Sequence, residues 1–217
     1  FLRKDHPLLA QRLRQLAKKS GKVSLISVGG DDALINLHAH QAVSPAELPL
    51  ALARVVKAVA QVKGGEVLLA GLESVEASAA SIAIAESLLS GERHAIFLGN
   101  VAEQHEHAAQ LHQLASELAR LTGACFGFIG EAANSVGGYV AHALPTTLNA
   151  YEMFAQPRKA YVLLDIEPEL DCHNPQMAVS ALKQAALVVA LTPFRQAAAA
   201  EYADVLLPIA PFAETSG

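Results

Sequence analysis

The sequence predicts an α/β fold: a doubly wound, mostly parallel sheet of about seven strands with helices on both faces. Three observations predict it. Continuous apolar runs of strand length, such as Tyr161 to Ile166 and Leu187 to Leu191, read as parallel strands buried on both faces. Segments of helical periodicity separate such runs, each long enough to carry a crossover between parallel neighbours. Glycines recur where the runs stop, at Gly29, Gly71, Gly99 and Gly130, and in this class of sheet those positions line one edge.

Pro7 to Lys19 places Leu9, Leu13 and Leu16 on one helical face, and Gly21 ends that helix. Val23 to Val28 is the first strand, with Gly29-Gly30-Asp31-Asp32 as the turn at its carboxyl end. Ser44-Pro45-Ala46-Glu47 is a capping box with proline at the first helical position. The helix behind it carries Leu48, Leu52, Val55, Val56 and Val59 at helical spacing and stops at Gly64-Gly65. Val67 to Ala70 reads as a strand, Glu73 to Leu89 as an alanine-rich helix, and Ala95 to Leu98 as a further strand ending at Gly99-Asn100. Gln104 to Leu121 shows the clearest helical stripe, Leu111, Leu114, Leu118 and Leu121, closed by Gly123.

Ala124 to Ile129 is the next strand, and Gly130 follows it. Asn134 to Gly138 and Pro145 to Phe154 form the least regular part, a loop with short helices and the natural place for a pocket rim or docking surface. Beyond it Asn174-Pro175 starts a helix between the strands at Tyr161 and Leu187, since Asn caps well and Pro at the first position gives up an amide with no partner there.

The 217 residues suffice for one large domain, and we read residues 1–217 as a single domain. Only 17% of residues are charged against 52% hydrophobic, with net charge −5. That is below the roughly 25% charged residues of an average domain, so partner subunits are expected to cover part of the surface. The mildly acidic balance, with no basic stripe to neutralise phosphates, argues against nucleic-acid binding. No apolar run reaches the ~18 residues of a membrane span. Cys125 and Cys172 are too few for a disulfide framework or an iron–sulfur cluster. The chain starts at Phe1 and shows no signal sequence, and reads as an internal segment truncated at both ends.

The most specific run is Glu201-Tyr202-Ala203-Asp204-Val205-Leu206-Leu207-Pro208, followed by Glu214-Thr215-Ser216-Gly217. It resembles a segment of the molybdopterin oxidoreductases, in which a short helix leads into an edge strand capped by proline. Asp165-Ile166-Glu167-Pro168-Glu169-Leu170-Asp171 and Gly130-Glu131-Ala132-Ala133-Asn134-Ser135-Val136-Gly137-Gly138 resemble one branch. That branch is the large iron–sulfur subunit of the respiratory NADH–quinone oxidoreductase, complex I, with its molybdopterin oxidoreductase-like domain. The resemblance is strong from Leu98 onward and weak before about Ala60.

This resemblance implies a scaffold domain within an enzyme that passes electrons from NADH to quinone. The parent subunit's 2Fe-2S and 4Fe-4S clusters would lie outside this segment, its partners would be other subunits of the peripheral arm, and its place the cytoplasmic side of the bacterial inner membrane. The alternative is the catalytic subunit of an active relative, such as a formate dehydrogenase, which cradles a molybdopterin guanine dinucleotide at the strand ends. Two departures weigh against it. Where active relatives carry an Asp-Pro-Arg-like turn, this chain has Val28-Gly29-Gly30; where they place Gln-Asp, it has Leu191-Thr192. No molybdopterin, metal site or catalytic residue is therefore expected in the segment. Gly29, Gly30, Gly99, Asn100, Gly130 and Asn134 remain the candidates for a vestigial pocket.

Other constellations favour plainer readings. His105 and His107 are two apart, whereas a helical metal pair needs three or four, so these and His112 read as surface histidines. His38 and His40 share a face if extended but have no third ligand nearby in sequence, and Cys172-His173 is equally unsupported. Asp165, Glu167, Glu169 and Asp171 read first as a solvated loop, then as a contact for a basic partner.

Overall fold

The computed structural model describes residues 2–29, 33–130 and 134–215. Contacts divide the chain into two compact units, residues 1–138 and 139–217. Both are α/β, and every strand pairing among the described residues is parallel.

In the first unit, short helix α1 (Leu2–Asp5) and helix α2 (Pro7–Lys18) precede strand β1 (Ser24–Ser27). β1 pairs with β2 (Ala39–Ala42), Leu25 standing beside His40. The Ser44 amide and hydroxyl both donate to Glu47 Oε2, at 3.1 and 2.8 Å, and these bonds hold the Glu47 carboxyl below its usual range. That box opens a 3-10 turn, Pro45–Glu47, which runs into α3 (Leu48–Lys63). α3 is the centre of the unit. Val55, Val56 and Val59 are almost wholly buried, and the helix packs on α4 (Ala79–Leu89) and α6 (Ala108–Thr122). β3 (Ala95–Leu98) leads directly into α5 (Asn100–Glu103) and pairs with β4 (Cys125–Phe128), Leu98 standing beside Phe128. Short helix α7 (Ser135–Val140) crosses the boundary between the units.

In the second unit, α8 (Ala150–Ala155) is capped by Asn149, whose Oδ1 accepts from the Glu152 amide at 2.9 Å. β5 (Ala160–Leu164), α9 (Pro168–Asp171), α10 (Pro175–Lys183), β6 (Leu187–Thr192) and β7 (Val205–Pro208) follow, and the strands form one sheet in the order β5-β6-β7. Asn174 caps α10 with Pro175 at its first position, as the sequence predicts. The core of this unit joins Phe154, Tyr161, Leu163, Leu182, Val188 and Ala190. Phe154 stacks on Tyr161 at 5.7 Å, and the Tyr161 hydroxyl accepts from the Arg158 amide and donates to Met153 O.

The fold class is as expected, and the seven described strands match the expected number. They are split among three small sheets, however, and two members differ. Val67 to Ala70 is not a strand. Its side chains alternate as a strand's would, Val67 and Leu69 packing on the core while Leu68 is exposed. Its backbone is committed elsewhere: the Leu68 amide donates to buried Glu117 at 2.7 Å, and Glu66 O accepts from Arg120 at 2.7 Å. β2, which the sequence reading omits, takes its place in the count. Its half-buried residues are Ala39 and Gln41, too small or too polar to register as an apolar run.

Two helices also begin later than expected. α4 starts at Ala79, because Ser78 and Ser81 exchange capping bonds there, while Glu73 bonds back to the Gly71 amide. The expected Gln104 helix starts at Ala108, after a turn organised by His105. Finally, β5 buries one face only, whereas Val189 and Leu191 on the other face of β6 are half-buried. Tyr161 and Leu163 are inside, while Val162 is 73% and Leu164 67% exposed.

Candidate functional site

In parallel α/β sheets ligands approach the carboxyl ends of the strands. The structure brings Gly99, Asn100 and Gly130 to that end of one sheet: Gly99 directly follows β3, and the Ile129 amide donates to Leu98 O at 2.8 Å, so Gly130 leaves β4 alongside. Gly99 has open space where a side chain would stand. Asn100 opens α5, which has only four residues. Gly29 lies beyond β1, in the other sheet of this unit, at φ +132°, a conformation that strains any residue with a side chain, and it too faces open space. Asn134 is folded over the start of α7, its side chain occupying the space a Cβ on Gly137 would need. Gly30 falls outside the described residues.

The second unit has a different kind of strand end. Asp165 directly follows β5, exposed and at φ +49°, its amide donating to Leu191 O at 2.8 Å. Of the four carboxylates here, two are already engaged. Asp171 accepts from the Glu167 amide at 2.7 Å, and Glu169 accepts from the Tyr202 hydroxyl at 3.1 Å. β6 ends in buried Thr192, whose hydroxyl donates to Phe194 O at 3.0 Å. An apolar groove of about 590 Å³ runs along α10 rather than across the strand ends, lined by Glu169, Pro175, Val179 and Lys183 among others.

The run Glu201 to Pro208 is fastened by its own polar residues. Glu201 pairs with Lys183 at 3.0 Å, and Tyr202 reaches Glu169. Asp204 makes a reciprocal pair with Val188: its Oδ2 accepts the Val188 amide at 2.8 Å while its own amide donates to Val188 O at 2.9 Å. These contacts set β7 against β6 in register. Sequence reasoning takes this run as an identifying signature and misses that its chemistry is structural. The signal is nonetheless present, in one hydroxyl and two carboxylates within four residues of an edge strand. Burial, and then the bond to Glu169, push the Tyr202 hydroxyl well above the ordinary phenol range. Burial pushes the Cys172 thiol up as well, helped by Asp171 and Glu169.

The family model of the molybdopterin oxidoreductases matches residues 2–217. The chain belongs to that family. No curated protein matches it significantly. Members of the molybdopterin oxidoreductase family typically bind molybdopterin, so the residues present can be tested against that group. Its dinucleotide forms carry phosphates, which call for backbone amides and cations at the strand ends. The open glycines at 29 and 99 fit such an approach. Lys22 precedes β1, Arg93 precedes β3, and Arg158 with Lys159 precede β5, all at the amino ends of strands. At the carboxyl ends stand Glu103 in α5 and Asp165 and Glu167 after β5, with Arg195 beyond β6 as the exception. The carboxylates after β5 offer no cation to a phosphate there, although Glu92 before β3 and Asp204 before β7 put carboxylates at amino ends as well.

Of the three histidines expected at the surface, His107 is exposed, while His105 and His112 are half-buried and hydrogen-bonded. His112 Nε2 lies 2.8 Å from Glu103 Oε1, its ring edge-on to Phe126. His105 bonds at both nitrogens, to Pro45 O and to the His107 amide. Among the described residues no group of three or more His, Cys, Asp or Glu side chains is placed to hold a metal ion, and no helix is long and apolar enough to cross a membrane.

Proposed function

We propose that this chain is a non-catalytic scaffold segment in the large iron–sulfur subunit of a respiratory NADH–quinone oxidoreductase. Its two compact units would together form one family domain with a degenerate cofactor site. The observation that carries this reading is the placement of charge around β5: carboxylates Asp165 and Glu167 follow its carboxyl end, while Arg158 and Lys159 precede its amino end. An acidic strand end removes phosphate affinity while leaving the fold intact. The resemblance of Asp165 to Asp171 and of Gly130 to Gly138 to this subunit supports the parent enzyme.

On this reading the segment turns over no substrate. Its role is to pack against other subunits of the peripheral arm, on the cytoplasmic face of a bacterial inner membrane. Uncovered apolar residues such as Val162, Leu164 and Phe212 agree with a chain that works inside an assembly.

Native electrophoresis of gently solubilised membranes from the source bacterium tests the parent enzyme. The protein should migrate in a large assembly whose band reduces a dye with NADH. Migration in a smaller band that reduces dye with formate and not with NADH would overturn the proposal.

A further inference from the structure

The acidic balance of the chain as a whole conceals a basic segment. Residues 1–22 carry seven of the 16 Lys and Arg and one of the 21 Asp and Glu. The remainder holds nine cations and 20 carboxylates, a net −11 in a chain whose total is −5. Four of the seven, Arg12, Arg14, Lys18 and Lys19, stand exposed on α2 or at its C-cap, and none of their side chains meets a carboxylate among the described residues. Arg14 and Lys18, four residues apart, are like charges on adjacent turns, which destabilises a helix, and no acidic neighbour offsets it.

The way α2 is held leaves these charges outward. Ala10 is its buried residue, Leu9, Leu13 and Ala17 are half-buried on the same side, and the helix packs chiefly on α1. At about 100° per residue, Gln11 and Gln15 occupy the middle of the opposite face, with Arg12 on one flank and Arg14 and Lys18 on the other. The outward face is therefore polar and cationic. A helix that lies in a lipid interface needs a continuous apolar face free to insert, whereas exposed Leu8 and Leu16 stand at opposite ends of α2. A long polyanion such as a nucleic acid would extend past the helix into the field of the acidic remainder. A short acidic segment would not.

We propose that α2 is a docking site for an extended acidic segment of another protein, with carboxylates at alternate positions. Arg14 and Lys18 are about 6 Å apart along the helix axis, and alternate residues of an extended strand about 7 Å apart, so two such carboxylates meet both cations at once. Arg12 and Arg14 each offer a planar fork that a carboxylate accepts with both oxygens. The contacts join exposed charges and therefore weaken as salt is added. The proposal does not depend on the identity of the parent enzyme.

Fluorescence anisotropy with the full chain and a labelled ten-residue peptide of alternating Glu and Ser tests it. Binding is expected at about 20 mM salt and should weaken about tenfold by about 200 mM. Arg12→Gln, Arg14→Gln and Lys18→Gln combined should weaken it by about tenfold at low salt, while Arg93→Gln, which removes a cation outside the segment, leaves it unchanged. No binding at low salt overturns the proposal, as does binding that survives the triple substitution or falls equally in Arg93→Gln. Tighter binding of phosphatidylglycerol vesicles, or of a ten-nucleotide thymidine strand, than of the peptide also overturns it. Circular dichroism checks that the triple variant is folded. Should it not be, Arg14→Gln alone replaces it, with a loss of about threefold expected and an unchanged affinity as the contradicting result.

Discussion

Substituting Glu117 by alanine removes three hydrogen bonds at once: two from the Arg120 guanidinium, each 2.8 Å, and one from the Leu68 amide at 2.7 Å. Glu117 is 6% exposed and Arg120's side chain 45%, so on truncation Arg120 finds water whereas the Leu68 amide loses its partner. A hydrogen bond to a charged group contributes about 1.5–3 kcal/mol. Because the freed amide is only part-buried, we expect a loss of about 2 kcal/mol, in the middle of that range. For a chain of this size that lowers the melting temperature by about 4–8 °C. Glu117→Gln keeps the volume and one acceptor and should lose about half as much.

The assay is urea unfolding followed by far-ultraviolet circular dichroism, which suits a chain with no tryptophan. The hydrogen bonds from Arg120 first, and then from Leu68, hold the Glu117 carboxyl below its usual range. Its contribution is therefore complete above the unfolded carboxyl value of about 4.3 and disappears as pH falls through the lower folded value. A Glu117→Ala stability within about 0.5 kcal/mol of the native chain, the scatter of neutral surface changes, would refute the idea that this carboxylate fastens the 66–69 segment.

Asp204→Ala should destabilise the second unit by about 1 kcal/mol, the usual net worth of one hydrogen bond, and speed exchange of the Val188 amide; exchange at the native rate would contradict the reciprocal pair. In a spectrophotometric titration one of the four tyrosines should stay un-ionised beyond the ordinary phenol range, and Tyr202→Phe should remove that late step. Since the folded value is raised, Tyr202 contributes stability below about pH 10, the unfolded value, and loses it as pH rises through the folded one. Cys125 is exposed and Cys172 half-buried with a raised thiol, so an aromatic disulfide reagent at pH 8 should label Cys125 first; equal rates would contradict the burial of Cys172.

What is legible in the sequence is set by local rules. The Ser44 box, the Asn174-Pro175 start and the stripe from Leu111 to Leu121 each depend on residues a few positions apart, and each is found where expected. What the sequence hides depends on distant partners. Val67 to Ala70 has a strand's pattern, but Glu117 and Arg120, some fifty residues away in sequence, claim its backbone. β2 is a strand because β1 pairs with it, not because its own residues are apolar. For the site, the glycines at 29, 99 and 130 are visible as punctuation. The direction of the charges along β5 becomes visible only once the ends of that strand are known. The polar residues from Glu201 to Asp204 point to the family in the sequence and turn out to be its fastening in the structure.

The most direct test of the degenerate-site proposal is the cofactor content of the full-length protein purified within its native assembly. Molybdenum would be measured by elemental analysis, and guanine nucleotide after denaturation. The carboxylates after β5 lead us to expect neither in stoichiometric amount, with iron and acid-labile sulfide present. Stoichiometric molybdenum together with guanine nucleotide would contradict the proposal and make the chain part of an active molybdenum enzyme.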